Sequence, residues 1–104
     1  STLVEEEMGE ISFSLQEMGV NGECLGSGRL EKPYLRTSTR LTVTHLKKYL
    51  AKKMRLTDSH NIAIFCRDVL LPLETTLAAI NSEHWREASE DLVLKYQVTQ
   101  VGPS

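Results

Sequence analysis

Apolar and polar residues alternate along ISFSLQ (11–16), with Ile11, Phe13 and Leu15 set against Ser12, Ser14 and Gln16. A period of two marks a strand with one buried face. The same period returns in NIAIFC (61–66), through Ile62, Ile64 and Cys66, and in DLVLKYQV (91–98), through Leu92, Leu94, Tyr96 and Val98. PYLRTST (33–39) predicts a second strand, and Pro33, which has no N–H to give, suits only its first position or a sheet edge. RDVLLP (67–72) predicts a turn into a very short fourth strand. Between 39 and 61 the period becomes helical: Val43, Leu46, Leu50 and Met54 fall on one stripe at about 100° per residue. Thr42 fits as its N-cap. His45, Lys48 and Lys52 lie opposite the stripe, while Lys47 and Lys53 flank it, where their methylene stems cover apolar surface. LTDSHN (56–61) stops this helix.

TTLAAI (75–80) predicts one or two further helical turns capped by Thr75 or Thr76. NSEHWREASED (81–91) is a polar loop apart from Trp85, which predicts an anchor. GVNGECLGSGRLE (19–31) holds four of the six glycines and little to bury, and predicts a long, mobile connection. The order of elements is strand, strand, helix, strand, short strand, short helix, strand. Their apolar faces converge on one side, giving a two-layer α+β domain. A mixed sheet of four or five strands packed on one main helix is the ubiquitin-like β-grasp arrangement. In that topology the first and last strands are central and parallel, and the second strand is an edge.

The chain of 104 residues is one domain by length, and its 40% hydrophobic content suits a packed core. Residues 10–98 are expected to form the domain, with 1–9 and 99–104 as flexible flanks. No apolar run approaches the ~20 residues needed to span a bilayer. The opening STLVEEE lacks the basic start of a secretory signal and has no initiator Met, so the chain is expected to be part of a longer one. Two cysteines, Cys24 and Cys66, and three scattered histidines, His45, His60 and His84, make neither a disulfide framework nor a metal cluster. Reduced, intracellular thiols are expected.

Charge is segregated. Residues 1–31 carry −6, residues 32–56 carry +8 with no acid among them, and residues 57–104 carry −4, which sum to the net −2. The basic block either folds beside acidic neighbours or faces an acidic partner.

TVTHLKKYLAKKMRL, IAIFCRDVLLPLETTLAAI and DLVLKY resemble the strand–helix–strand skeleton of the ubiquitin superfamily. A closer resemblance is to the RAWUL domain, the ubiquitin-like module of Polycomb-group RING-finger proteins. It rests on Tyr34-Leu35-Arg36-Thr37-Ser38, on Val43-Thr44-His45-Leu46-Lys47-Lys48-Tyr49-Leu50, and on Ile62, Ile64, Cys66, Thr76-Leu77, Trp85 and Leu92-Leu94-Tyr96, over about residues 10–98. Two departures are the glycine-rich 19–31 loop and Ala63 and Phe65, which stand where the family carries acidic residues. The resemblance implies a nuclear, non-enzymatic module that recruits Polycomb or corepressor subunits through short segments ordering on the sheet edge. A ubiquitin-ligase RING would lie outside these residues.

The residues themselves offer little to catalysis. Cys66 sits on a strand's apolar face, Cys24 lacks a local base, and GECLGSG leads into a strand rather than a helix, so it is no phosphate loop. The tail TQVGPS lacks the terminal Gly-Gly of a conjugated modifier. Neither a cofactor nor a metal is expected.

Nucleic-acid binding has the basic block in its favour but only Tyr34 and Tyr49 for stacking, so a solvated face or an acidic protein partner ranks above it. The favoured site is the second strand as an exposed edge: Tyr34, Leu35, Arg36, Thr37, Ser38 and Arg40, with Tyr34 and Arg36 pointing outward. The plain alternative is that Tyr34 covers the rim and Arg36 pairs with an N-terminal Glu. A Ras-association-type domain would use the same strand, with Arg36, Arg40 and the helix lysines meeting an acidic GTPase. Pairing with a second copy stays open.

Overall fold

The computed structural model describes residues 9–86 and 90–99; the expectations placed on 1–8, 87–89 and 100–104 lie outside the described residues. The alternating segments become β1 (Glu10–Glu17), β2 (Tyr34–Ser38), β3 (Ile62–Cys66), β4 (Val69–Leu70) and β5 (Leu92–Val98). They form one five-stranded sheet in the order β2-β1-β5-β3-β4. β1 and β5 are central and parallel, and β2, β3 and β4 join antiparallel. The mixed sheet and the edge position of β2 are therefore as the pattern predicts.

α1 (Val43–Lys53) begins at Thr42, whose hydroxyl accepts from the His45 N–H at 3.3 Å, while the Thr42 N–H donates back to His45 Nδ1 at 3.4 Å. Val43, Leu46 and Leu50 are buried, but Met54 stands past the last helical residue and is half-buried. The helix closes with Leu56 N–H on the Ala51 carbonyl and Arg55 N–H on that of Lys52, the pairing of a Schellman motif. That motif wants a left-handed residue, and here it is Arg55 at φ 56° rather than glycine.

A second helix, α2 (Leu77–Glu83), is capped by Thr76, which accepts from Ala79 N–H at 3.2 Å. It continues through Asn81, Ser82 and Glu83, three residues assigned by composition to the following loop. Trp85 does anchor that loop, donating its indole N–H to the Glu90 carbonyl at 3.0 Å and lying under the Arg67 guanidinium.

Phe13, Leu15, Ile62, Ile64, Cys66, Leu92, Leu94, Tyr96 and Val98 meet α1 and α2 in a single core. The 19–31 connection departs from its expectation of having little to bury. Leu30 enters the core at 7% exposure, and Glu17, at 6%, anchors the loop from inside. Its carboxylate accepts from Arg29 N–H at 3.1 Å and lies 3.4 Å from the Tyr96 hydroxyl, which is also 3.1 Å from the Ser27 carbonyl. At Gly28, φ is +57° and a Cβ would run into Glu17. Glycine-rich composition signals this conformational demand as readily as it signals freedom.

Candidate functional site at the sheet edge

β2 pairs with β1 so that Phe13 faces Leu35 and Ile11 faces Thr37. Two further bonds bracket the ladder, Leu15 N–H to the Pro33 carbonyl at 2.8 Å and Thr39 N–H to the Gly9 carbonyl at 3.1 Å. In an antiparallel pair, hydrogen-bonded partners alternate with unbonded ones. The odd positions, Pro33 to Thr37, therefore turn their backbone groups toward β1, as Thr39 does with its N–H. Tyr34, Arg36 and Ser38 turn theirs away. The Ser38 carbonyl is taken by Leu41 N–H at 3.1 Å. Both groups of Tyr34, both of Arg36 and the Ser38 N–H then face the open side, where no strand lies among the described residues.

Side chains follow the same division. Leu35 and Thr37 sit on the helix side, with Leu35 packed on the core. Tyr34, at 80% exposure, and Arg36 stand on the opposite face, beside Ser14 and Ser12. The Arg36 Nε lies 3.1 Å from Glu10 Oε1, the pairing named as the plain alternative. Both side chains are mostly in water, so this pair contributes little. It orients Arg36 along the sheet without sequestering it. Arg40 is exposed in the turn after β2, its N–H donating to Ser38 Oγ at 3.1 Å. The six expected residues thus share one strand and turn, but only Tyr34, Arg36 and Ser38 offer both side chain and main chain outward.

That turn is held firmly. The first amides of α2, on Leu77 and Ala78, donate to the carbonyls of Leu41 and Thr39, at 2.9 and 3.0 Å. The first amides of α1, on Val43 and Thr44, donate to those of Thr75 and Leu73, at 2.9 and 3.0 Å. Each helix start satisfies its orphan N–H groups on the other's lead-in. The edge is consequently a rigid one, positioned by both helices. This reciprocal bonding left no mark in composition or periodicity.

The other edge of the sheet is β4, only two residues long. Its turn places Arg67 at φ 49° and Asp68 at φ 70°, a two-residue hairpin of the kind that Asn-Gly favours. So short an edge offers a partner few bonds. The sheet's outer face between the edges presents Ser12, Ser14, Ala63, Val93 and Lys95, with Phe65 beside Lys95 as its one large apolar side chain among these, all half-buried.

Buried groups elsewhere are structural. Cys66 is enclosed, and burial pushes its thiol pKa up, away from the reactive thiolate. Among the described residues, no three His, Cys, Asp or Glu side chains gather as a metal site.

The RAWUL domain family, described as RING finger- and WD40-associated ubiquitin-like, matches residues 33–97, from the residue before β2 to the penultimate residue of β5. The chain belongs to the RAWUL family. Polycomb group RING finger protein 3 of Bos taurus is 32% identical over 95 residues, which cover 89% of this chain and 39% of that protein. Polycomb group RING finger protein 6 of Rattus norvegicus is 34% identical over 89 residues, covering 84% of this chain and 25% of that protein. Polycomb group RING finger protein 1 of Bos taurus is 29% identical over 91 residues, covering 88% and 34%. The chain therefore spans two fifths or less of the length of these relatives. The resemblance carried by the β2 and α1 motifs is the kinship that the whole-chain comparison finds.

Proposed function

We propose that this RAWUL domain is a non-catalytic docking module of a Polycomb-type RING-finger protein, and that it recruits a partner subunit by adding that partner's extended segment to β2. The complex would be a nuclear, transcription-repressive ubiquitin-ligase assembly, with the RING outside these residues. One observation carries the mechanism: Tyr34 and Arg36 turn four backbone hydrogen-bonding groups to the open side of a five-residue strand. Main-chain bonds of this kind supply affinity, and side chains beside them supply selectivity. Tyr34 and Arg36 are of the types that anchor interfaces.

Arg36→Pro is the test, because proline deletes the outward N–H of residue 36 and leaves the β1 ladder its own bonds. The expected result is at least a tenfold loss of partner capture from nuclear extract, with thermal unfolding close to that of the unaltered chain. Tyr34→Ala with Arg36→Glu should have the same effect through the side chains. Capture unaffected by either change would sink edge addition.

A further inference from the structure

α1 carries its charge on a face the fold does not use. Lys48 and Lys52 are exposed on its outer side, Lys53 is exposed on the adjoining flank at its last turn, and Arg55 follows at its end. Among the described residues the ion pairs are Arg29–Glu17, Arg36–Glu10 and His60–Asp58, and none reaches these four cations. Compensation is slight: Asp58 feels the charge of Lys47, and the Lys53 ammonium lies 5.6 Å from the centre of the Tyr49 ring.

Two features of this face work against stability. Lys48 and Lys52 stand one helical turn apart as like charges. Arg55 occupies a left-handed position, φ 56°, where glycine is unstrained and a side chain is not. Lys52 and Lys53 have a structural role at the negative end of the helix dipole. Arg55, just past the C-cap, shares that role but holds a left-handed position that glycine would fill without strain, and Lys48 has no such role.

We propose that Lys48, Lys52, Lys53 and Arg55 form a docking face for the phosphate backbone of duplex DNA, independent of base sequence and separate from β2. Composition alone ranked an acidic protein above nucleic acid. What favours the polyanion for this face is that Val20, Leu25, Tyr34, Val69 and Leu70 lie on other elements, and that Leu73, the one exposed large apolar residue beside α1, sits at its first turn, away from Lys52, Lys53 and Arg55. A peptide complex draws its affinity from buried anchors. A face of cations alone suits a polyanion. The 11-residue helix is ~16 Å long. Duplex DNA carries one charge per ~1.7 Å of axis, so on the order of nine phosphates pass within its reach.

The test is fluorescence anisotropy of a labelled mixed-sequence DNA duplex titrated with the 104-residue chain at several salt concentrations. Three or four phosphate contacts predict a slope of log K against log salt of about −3 to −4. Lys48→Glu with Lys52→Glu should weaken binding more than about tenfold and flatten the slope by about 2. Lys48→Gln with Lys52→Gln serves as the second variant should the reversed pair fail to fold. Arg55→Gly should raise the unfolding midpoint and lower DNA affinity together, a trade that a purely structural residue would not show. Absence of salt-dependent binding, or neutralised variants that bind like the parent, would overturn the proposal. So would polyglutamate displacing the duplex at equal charge concentration, which would assign the face to acidic peptides.

Discussion

Tyr96 and Glu17 meet where β1 ends and the glycine-rich connection begins, and their coupling has a measurable consequence. Burial, then the adjacent Glu17 charge, pushes the Tyr96 phenol up to about 12. In the unfolded chain a tyrosine titrates near ~10. The folded state therefore keeps a proton that the unfolded state has lost, and stability falls as pH rises from about 10 through 12. Below about 10 the contribution is complete. Thermal midpoints taken across this window should fall steeply for the parent chain and less steeply for Tyr96→Phe. At neutral pH Tyr96→Phe should be destabilised by about 1–3 kcal/mol, because it removes a donor beside a buried carboxylate and the Ser27 carbonyl. An unchanged alkaline slope would mean that Tyr96 does not hold the loop.

At the scale of elements, α1 owes its position to three fully enclosed side chains, Val43, Leu46 and Leu50, facing β1, β3 and β5 across the core. Leu50→Ala should cost about 2–5 kcal/mol in chemical denaturation, as a truncation in a packed interior. A near-neutral result would mean that the stripe is not the packing surface. Helical and strand periods located all five strands and α1 to within a residue or two, because burial on one face imposes them directly. α2 was placed but cut short: Asn81, Ser82 and Glu83 are polar and exposed, so no period extends it. Leu30 and Glu17 were missed for a related reason. Their burial comes from a loop folding back on β1, which local sequence does not encode.

At the scale of the whole molecule, the sheet leaves two edges of unequal use. β4 is too brief to template a partner strand, whereas β2 is five residues long and braced by both helix starts. The identity of β2 as an edge was legible from strand order and from Pro33. That Tyr34 and Arg36 face outward was legible from alternation, whereas which backbone groups are left unpaired was not, because that depends on the register Phe13↔Leu35, fixed only by three-dimensional pairing. Of the six expected residues, the register turns Tyr34, Arg36 and Ser38 outward and Leu35 and Thr37 to the helix side, while Arg40 is exposed in the turn that follows. The decisive measurement is amide hydrogen exchange along β2, with the chain free and with its captured partner bound. Strand addition predicts that the Tyr34 and Arg36 amides exchange readily in the free domain and become protected in the complex, while Leu35 and Thr37 are protected in both. Fast exchange at Tyr34 and Arg36 in the complex, with protection appearing on another surface, would contradict it.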